Sequence, residues 1–227
     1  MAKIAKRIAA NAAKVDRLKK YPLVEAVALA KETATTKFDS SIELHFHLGI
    51  DTKKSDQQVR GSLMLPHGTG KTKKVVAFVP ANLEKDAKEA GADLIGTEEV
   101  INQIKTTGKC DFEVAVATPE VMKNLAAIAK TLGQKGLMPN PKDGTVTTDI
   151  KKTIMNLKKG MASYKNDDSG NLHFIVGKAS FEAKDLLENI QSAVETVKRA
   201  KPETTKGTFI LSVTLSSSMG PGIKLAI

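Results

Sequence analysis

The chain predicts a mixed fold, α/β and α+β in two domains: a discontinuous α+β body formed by both termini, and an inserted three-layer βαβ (Rossmann-like) domain. Three observations predict it. Strict alternation of Ile42, Leu44, Phe46, Leu48 and Ile50 with Glu43, His45 and His47 marks a half-buried strand near the start. Short apolar runs alternate with helical stretches through the middle, which is the pattern of parallel βαβ units. Beyond Met161 the alternation returns, so the two ends match each other and not the segment between them. The body is read as residues 1–66 and 160–227, and the insertion as residues 67–159.

Taken in order, the elements follow from local chemistry. The first stretch carries Lys3, Lys6, Arg7, Lys14, Arg17, Lys19 and Lys20 among alanines, so it is either a solvated tail or a helix formed on docking to a polyanion. Pro22 suits the first turn of a helix, and Leu23, Val24, Val27, Ala30 and Lys31 continue at amphipathic spacing toward Thr36. After the first strand, Val59, Gly61, Leu63 and Leu65 repeat the alternation, with Arg60, Ser62 and Met64 outward. From Val75, VVAFV reads as a buried strand, followed by a helix through Glu89, an apolar turn at Leu94 and Ile95, and another helix. FEVAVA from Phe112 is a further buried strand; Pro119 opens a helix toward Leu132. Leu132–Thr147, LGQKGLMPNPKDGTVT, is a loop in which Gly133 and Gly136 permit unusual angles while Pro139 and Pro141 restrict theirs. It is expected to be stiff and exposed. A helix near Asp149–Lys158 closes the insertion. ASYKN, a DDSGN turn, LHFIV, a helix from about Glu182 to Arg199, FILSVTL and a last strand at Ile223–Ile227 complete the body. Gly68 and Gly70 on one crossing and Gly160 on the other are candidate hinge residues.

Composition narrows the function. Lys+Arg 35 against Asp+Glu 25 gives a formal charge of +10, which favours a polyanionic partner because each neutralised phosphate releases counterions. A lone Cys110 excludes an internal disulfide and a multi-cysteine zinc site, and suits a reducing cytoplasm. No apolar run nears the roughly 20 residues of a membrane span, and no signal-peptide core is present, so a cytoplasmic protein is expected. With no Trp, two Tyr and seven Phe, stacking of splayed bases is disfavoured against readout of structured RNA.

Motifs for catalysis fail on inspection. GTGKT at Gly68–Thr72 has Leu65 where a phosphate loop needs glycine, and KKVVAFV after it reads as a strand where that motif needs a helix. His45 and His47 share a strand face without a visible third metal ligand, and are read as facing solvent or RNA. Cys110 has no activating partner in the local sequence. SSSMGP, from Ser216, admits two readings: an ordinary turn, or hydroxyls and an apolar methionine offered to phosphate, ribose or base. No enzyme, metal or cofactor is expected; the alternative kept in view is a nucleotide- or small-ligand-binding enzyme using the inserted domain.

The central loop, together with KFDSSIELHFHLGID (Lys37–Asp51), SDQQVRGSLMLPHGTGK (Ser55–Lys71), HFIVGKASF (His173–Phe181) and KGTFILSVTLSSSMGP (Lys206–Pro221), resembles the bacterial large-subunit ribosomal protein L-one family in block order and over essentially the whole chain. Gln134, Ser218 and Gly222 depart from the residues common there. The resemblance implies the same split two-domain plan, direct binding of large-subunit rRNA, a mobile stalk beside the exit-site tRNA, and repression through the leader of the protein's own operon mRNA. It further implies RNA contact by Lys37 and Phe38, by Ser212, and by Ser218, Met219 and Gly220. Lys165, Asn166 and His173 extend that set by strand pairing and by the need for a cation beside it. Lys37 would neutralise phosphate, while Ser212 and Ser218 would read ribose. The free protein is expected to be a monomer with no membrane partner.

Overall fold

The computed structural model describes residues 6–226; Lys3 of the basic segment and Ile227 of the last strand lie outside them. The chain divides into two compact units, the first made of residues up to Gly70 together with Ala162 onward, the second of Lys71–Met161.

In the first unit, α1 (Lys6–Ala13) and α2 (Leu23–Glu32) precede β1 (Ser41–Leu48) and β2 (Arg60–Met64). After the second unit come β6 (Met161–Lys165), β7 (Asn171–Lys178), α8 (Ala183–Arg199), β8 (Ile210–Ser217) and β9 (Ile223–Lys224). A four-stranded sheet has the order β7-β1-β8-β9, antiparallel throughout, and β2 pairs with β6 in a separate two-stranded sheet. The inner face of the larger sheet buries Ile42, Leu44, Phe46 and Leu48 with Leu172, Phe174, Val176, Val213 and Leu215. Helix α8 covers that face because Leu186, Asn189, Ile190, Ala193, Val194 and Val197 recur at three- and four-residue spacing and are all buried. Full burial of a side chain such as Phe46 contributes roughly 1.5–3 kcal/mol. Pro22 occupies the residue before α2, where its fixed φ of −61° and missing N–H do no harm, and the helix stops at Glu32, short of Thr36. Gly61 lies against Tyr164: an added Cβ would come 2.9 Å from the phenol oxygen.

The second unit contains β3 (Val75–Phe78), α3 (Glu84–Glu89), β4 (Leu94–Ile95), α4 (Glu98–Thr107), β5 (Val114–Ala117), α5 (Met122–Leu125), α6 (Ala129–Gln134) and α7 (Ile150–Lys159). Strands β4, β3 and β5 form a parallel sheet in that order. Both faces are covered, which is why β3 reads as continuous apolar sequence. Val76 and Phe78 pack with Ile101, Ile104, Leu125 and Leu132, whereas Val75 and Ala77 pack with Ala87, Ile154 and Leu157. The unit is therefore a three-layer α/β/α sandwich.

Three local expectations need correction. Leu94–Ile95 is an edge strand parallel to β3, not a turn. The helix expected from Pro119 begins at Met122 and is interrupted by a 3-10 turn at Ala126–Ile128. The central loop is not simply exposed: Pro139, Asp143 and Thr145 are buried, Leu137 and Met138 pack on the core, and Val146 bridges Ala117 at the sheet edge. Its apolar residues had a core to reach, and the backbone groups of Thr145 and Thr147 found partners on Ala117. Among the described residues no helix is long and apolar enough to cross a membrane.

Candidate nucleic-acid interface

Alternation that buries one face of the four-stranded sheet presents the other. Register places Glu43 beside Ile175 and Ser216, His45 between His173 and Thr214, and His47 between Asn171 and Ser212. Lys224 lies next to Thr214 on β9. The result is a largely polar surface of hydroxyls, imidazoles, one carboxylate, one amide and one lysine, with Ile175 among them.

Hydrogen bonds order that surface. His45 Nδ1 lies 2.9 Å from His173 Nδ1, and His45 Nε2 lies 3.0 Å from Ser216 Oγ. His47 Nδ1 meets Asn171 Oδ1 at 2.8 Å. Burial lowers the His45 pKa from its ordinary value, reinforced by repulsion from His173 and opposed by Glu43. Asp167, in the turn before β7, is held at a pKa of about 2 by the backbone N–H of Asn171, the Asn171 amide, the Ser169 N–H and His173.

At one end of the sheet two segments converge. The Ser218 N–H donates to the Ser41 carbonyl at 2.9 Å, and the Gly220 N–H donates to the Ser217 carbonyl at 2.8 Å, closing a bend. At its apex Met219 has φ 63°, the left-handed region a non-glycine residue rarely adopts, and its side chain is 64% exposed. Gly220 cannot be replaced freely, since a Cβ would fall 2.2 Å from Ser217 Oγ. The preceding corner is fixed by Thr36 Oγ1 donating to the Phe38 carbonyl, and by Asp39 accepting from the Ser180 N–H and hydroxyl. Lys37 is exposed there and Phe38 is 57% exposed. Lys37, Phe38, Ser218, Met219 and Gly220 thus flank the same end of the β1–β8 pair.

The other expected residues are dispersed. Ser212 is exposed on the open face, six residues along β8 from Ser218 and hence about 20 Å away. His173 is exposed at the middle of that face. Lys165 ends β6 in the other sheet, exposed. Asn166 departs from expectation: it is 8% exposed, its Oδ1 accepts from the Val59 N–H and its Nδ2 donates to the Asp167 carbonyl. The amide is engaged in joining β6 to the segment before β2 and is largely withdrawn from the surface. Thr214, Asn171 and Lys224 share the open face although no sequence motif marked them; for Lys224 the signal was its place between inward Ile223 and Leu225.

Gly68 and Gly70 adopt φ of 69° and 72°, and no helix follows them, which disposes of a phosphate loop. In the second unit a crevice of about 380 Å³ opens at the carboxyl ends of β3 and β4, lined by Pro80, Glu84, Gly96, Thr97, Glu98 and Ile101 among others. Two carboxylates and no basic side chain make it repellent to phosphates.

The family model described as "Ribosomal protein L1p/L10e family" matches residues 30–221. A "Large ribosomal subunit protein uL1" of Mesoplasma florum is 53% identical over 227 residues, covering 100% of both chains. That of Mycoplasma capricolum is 52% identical over 225 residues, covering 99% of each, and that of Methylobacillus flagellatus is 49% identical, covering 99% of this chain and 97% of its own. With the match spanning both halves of the terminal unit and the whole of the insertion, the chain belongs to the ribosomal protein L1p/L10e family.

Proposed function

We propose that this protein is a structural component of the large ribosomal subunit, cytoplasmic and ribosome-associated, whose terminal-half unit binds large-subunit rRNA directly. It carries no catalytic activity, as befits a family of structural ribosomal proteins. The observation that carries the reading is the Ser218–Ser41 backbone bond, which draws the Lys37–Phe38 corner and the Met219 bend to one end of a sheet whose open face is polar. A net charge of +10 supplies the long-range attraction to RNA. On this reading Lys37 contacts phosphate, Phe38 and Met219 offer apolar surface to sugar or base, and Ser212 and Ser218 address ribose hydroxyls. Lys165 and His173 are outlying contacts.

The reading extends to a mobile stalk that assists release of exit-site tRNA, and to repression of the protein's own operon mRNA through a leader resembling the rRNA site. Motion would begin after Gly70, because Gly68 accepts a hydrogen bond from Asn189 and Gly70 abuts Lys178 and Phe181. On the return crossing Gly160, at φ 111°, ends α7 and is the matching pivot.

The test is binding to the isolated rRNA stalk fragment against a scrambled RNA of equal length, at near-physiological salt. Preference for the stalk fragment is expected, and equal affinity for both would refute specific rRNA recognition. Lys37→Ala should weaken binding broadly and reduce the slope of log K against log salt by about one phosphate equivalent. Sedimentation of a cell extract separates a ribosomal component, which travels with large subunits, from a free RNA chaperone. Stabilisation by ATP or NAD without preference for rRNA would favour the enzyme alternative.

A further inference from the structure

We propose that His45 and His173 form a two-imidazole binding site for a divalent transition-metal ion, Cu2+ or Ni2+, on the open face of the sheet. The site shares His173 with the outlying rRNA contacts, but its argument does not rest on the rRNA reading. The two residues are direct cross-strand partners, and their Nδ1 atoms approach to 2.9 Å. Neither depends on a mobile backbone to meet the other, since both lie within strands of one antiparallel ladder.

The groups behind the rings prepare both Nδ1 atoms as ligands. His173 Nε2 lies 3.6 Å from Asp167 Oδ2, beyond hydrogen-bond length, yet the nearby negative charge favours the neutral tautomer with its hydrogen on Nε2, which leaves Nδ1 a lone pair. Asp167 is itself held by the Ser169 and Asn171 N–H groups and the Asn171 amide, which fixes its position. His45 Nε2 faces Ser216 Oγ, a hydroxyl that can donate or accept. Without metal, His45 Nδ1–H donates to His173 and Ser216 donates to His45. With metal, the His45 hydrogen moves to Nε2 and Ser216 accepts it, so two lone pairs become available with no net change of charge on the rings. A hydroxyl bonded to His45 Nε2 and a carboxylate close to His173 Nε2 are the kinds of outer partner that ligating histidines ordinarily have.

Ligand type selects the ion. Without metal the 2.9 Å separation is that of an Nδ1–H···Nδ1 hydrogen bond, and imidazole donors with open positions bind Cu2+ most tightly among the divalent first-row metals, with Ni2+ just below it in that order. Rotation of each ring about χ2, a soft torsion, aims the lone pairs at the shared ion. Among the described residues no group of three or more His, Cys, Asp or Glu could hold a metal, so water completes the coordination and affinity rests on the imidazole pair. Glu43, whose Oε2 lies 3.9 Å from His45 Nε2, and Asp167 add the negative potential that attracts a cation.

The experiment is titration of tag-free full-length protein with Cu2+, followed by calorimetry and by electron paramagnetic resonance. One equivalent should bind with the nitrogen hyperfine pattern of two imidazoles. His45→Asn and His173→Asn should each lower its affinity at least about tenfold, while His47→Asn leaves it within about twofold; far-UV circular dichroism confirms that each variant folds. Copper retained by the His45→Asn/His173→Asn double variant counts as background from other groups. If the double variant binds as the parent does, or if His47→Asn is as damaging as the other two, the assignment is wrong. Affinity for the rRNA stalk fragment measured with a chelator present should be the same whichever result is obtained, so failure here and failure of the rRNA reading are distinguishable.

Discussion

At the scale of single residues, two side chains show how conformation and chemistry separate. Met219 sits at φ 63°, a conformation that costs a non-glycine residue about 1 kcal/mol or more. Met219→Gly removes that strain and the exposed side chain together, so the thermal midpoint should stay within a few degrees. Affinity for the rRNA stalk fragment should nevertheless fall about tenfold, which is about 1.4 kcal/mol. An unchanged affinity in a filter-binding assay removes Met219 from the contact. Asn189 is the opposite case. Fully buried on α8, it accepts from the His67 N–H and donates to the carbonyls of Gly68 and Val176. Asn189→Ala leaves those groups unpaired, and a loss of about 2–4 kcal/mol is expected from urea unfolding. A loss below about 1 kcal/mol would show that they find other partners.

Between elements, the chain leaving β2 is tied to α8 by more than Asn189. His67 Nε2 lies 2.7 Å from Glu188 Oε2, and its Nδ1 lies 3.6 Å from Asp185. The Glu188 hydrogen bond, chiefly, raises the His67 pKa above its ordinary 6.5, burial and Lys184 opposing, and the same pairing lowers Glu188 from 4.5. A raised folded-state value means the histidine's contribution is fully present below 6.5 and fades as pH rises through the folded value. Depression of Glu188 makes its contribution complete above the ordinary 4.5 and lost as pH falls through the lower folded value. The stability difference between the parent and His67→Gln should therefore be largest near about pH 5–6 and shrink above about pH 7. A difference that is flat from about pH 5 to 8 contradicts the pairing. Both residues are exposed, so the effect will be small and salt-sensitive.

For the whole molecule, separate cores allow separate behaviour. Both tyrosines, Tyr21 and Tyr164, belong to the first unit, and the chain has no tryptophan. Tyrosine fluorescence thus reports the first unit alone, while far-UV circular dichroism reports both. In the second unit Gly96 lies under Phe78, where an added Cβ would come 2.0 Å from the ring. Gly96→Ala should destabilise the second unit by about 2 kcal/mol or more. Its unfolding should then precede the tyrosine transition, whereas coincident shifts of both signals would mean that the units unfold as one.

Much of this architecture was legible in the order of residues, because its determinants are local. Alternation at Ile42–Leu48 named the buried face of β1, and by elimination the open face that carries His45 and His47. Continuous apolar sequence at Val75–Phe78 named a strand covered on both sides, and the run from about Glu182 to Arg199 a helix. Family membership was equally readable, since it rests on blocks of sequence. Short elements were not: Leu94–Ile95 becomes a strand only because Val76 and Ala77 supply its hydrogen-bond partners. The candidate site was legible as a list and not as a place. Only tertiary pairing puts Ser218 against Ser41, brings His45 to His173 across 128 residues, and turns Asn166 inward to Val59. The physical reason is that periodicity records which face of an element avoids water, whereas strand order and register are settled by which surfaces bury one another.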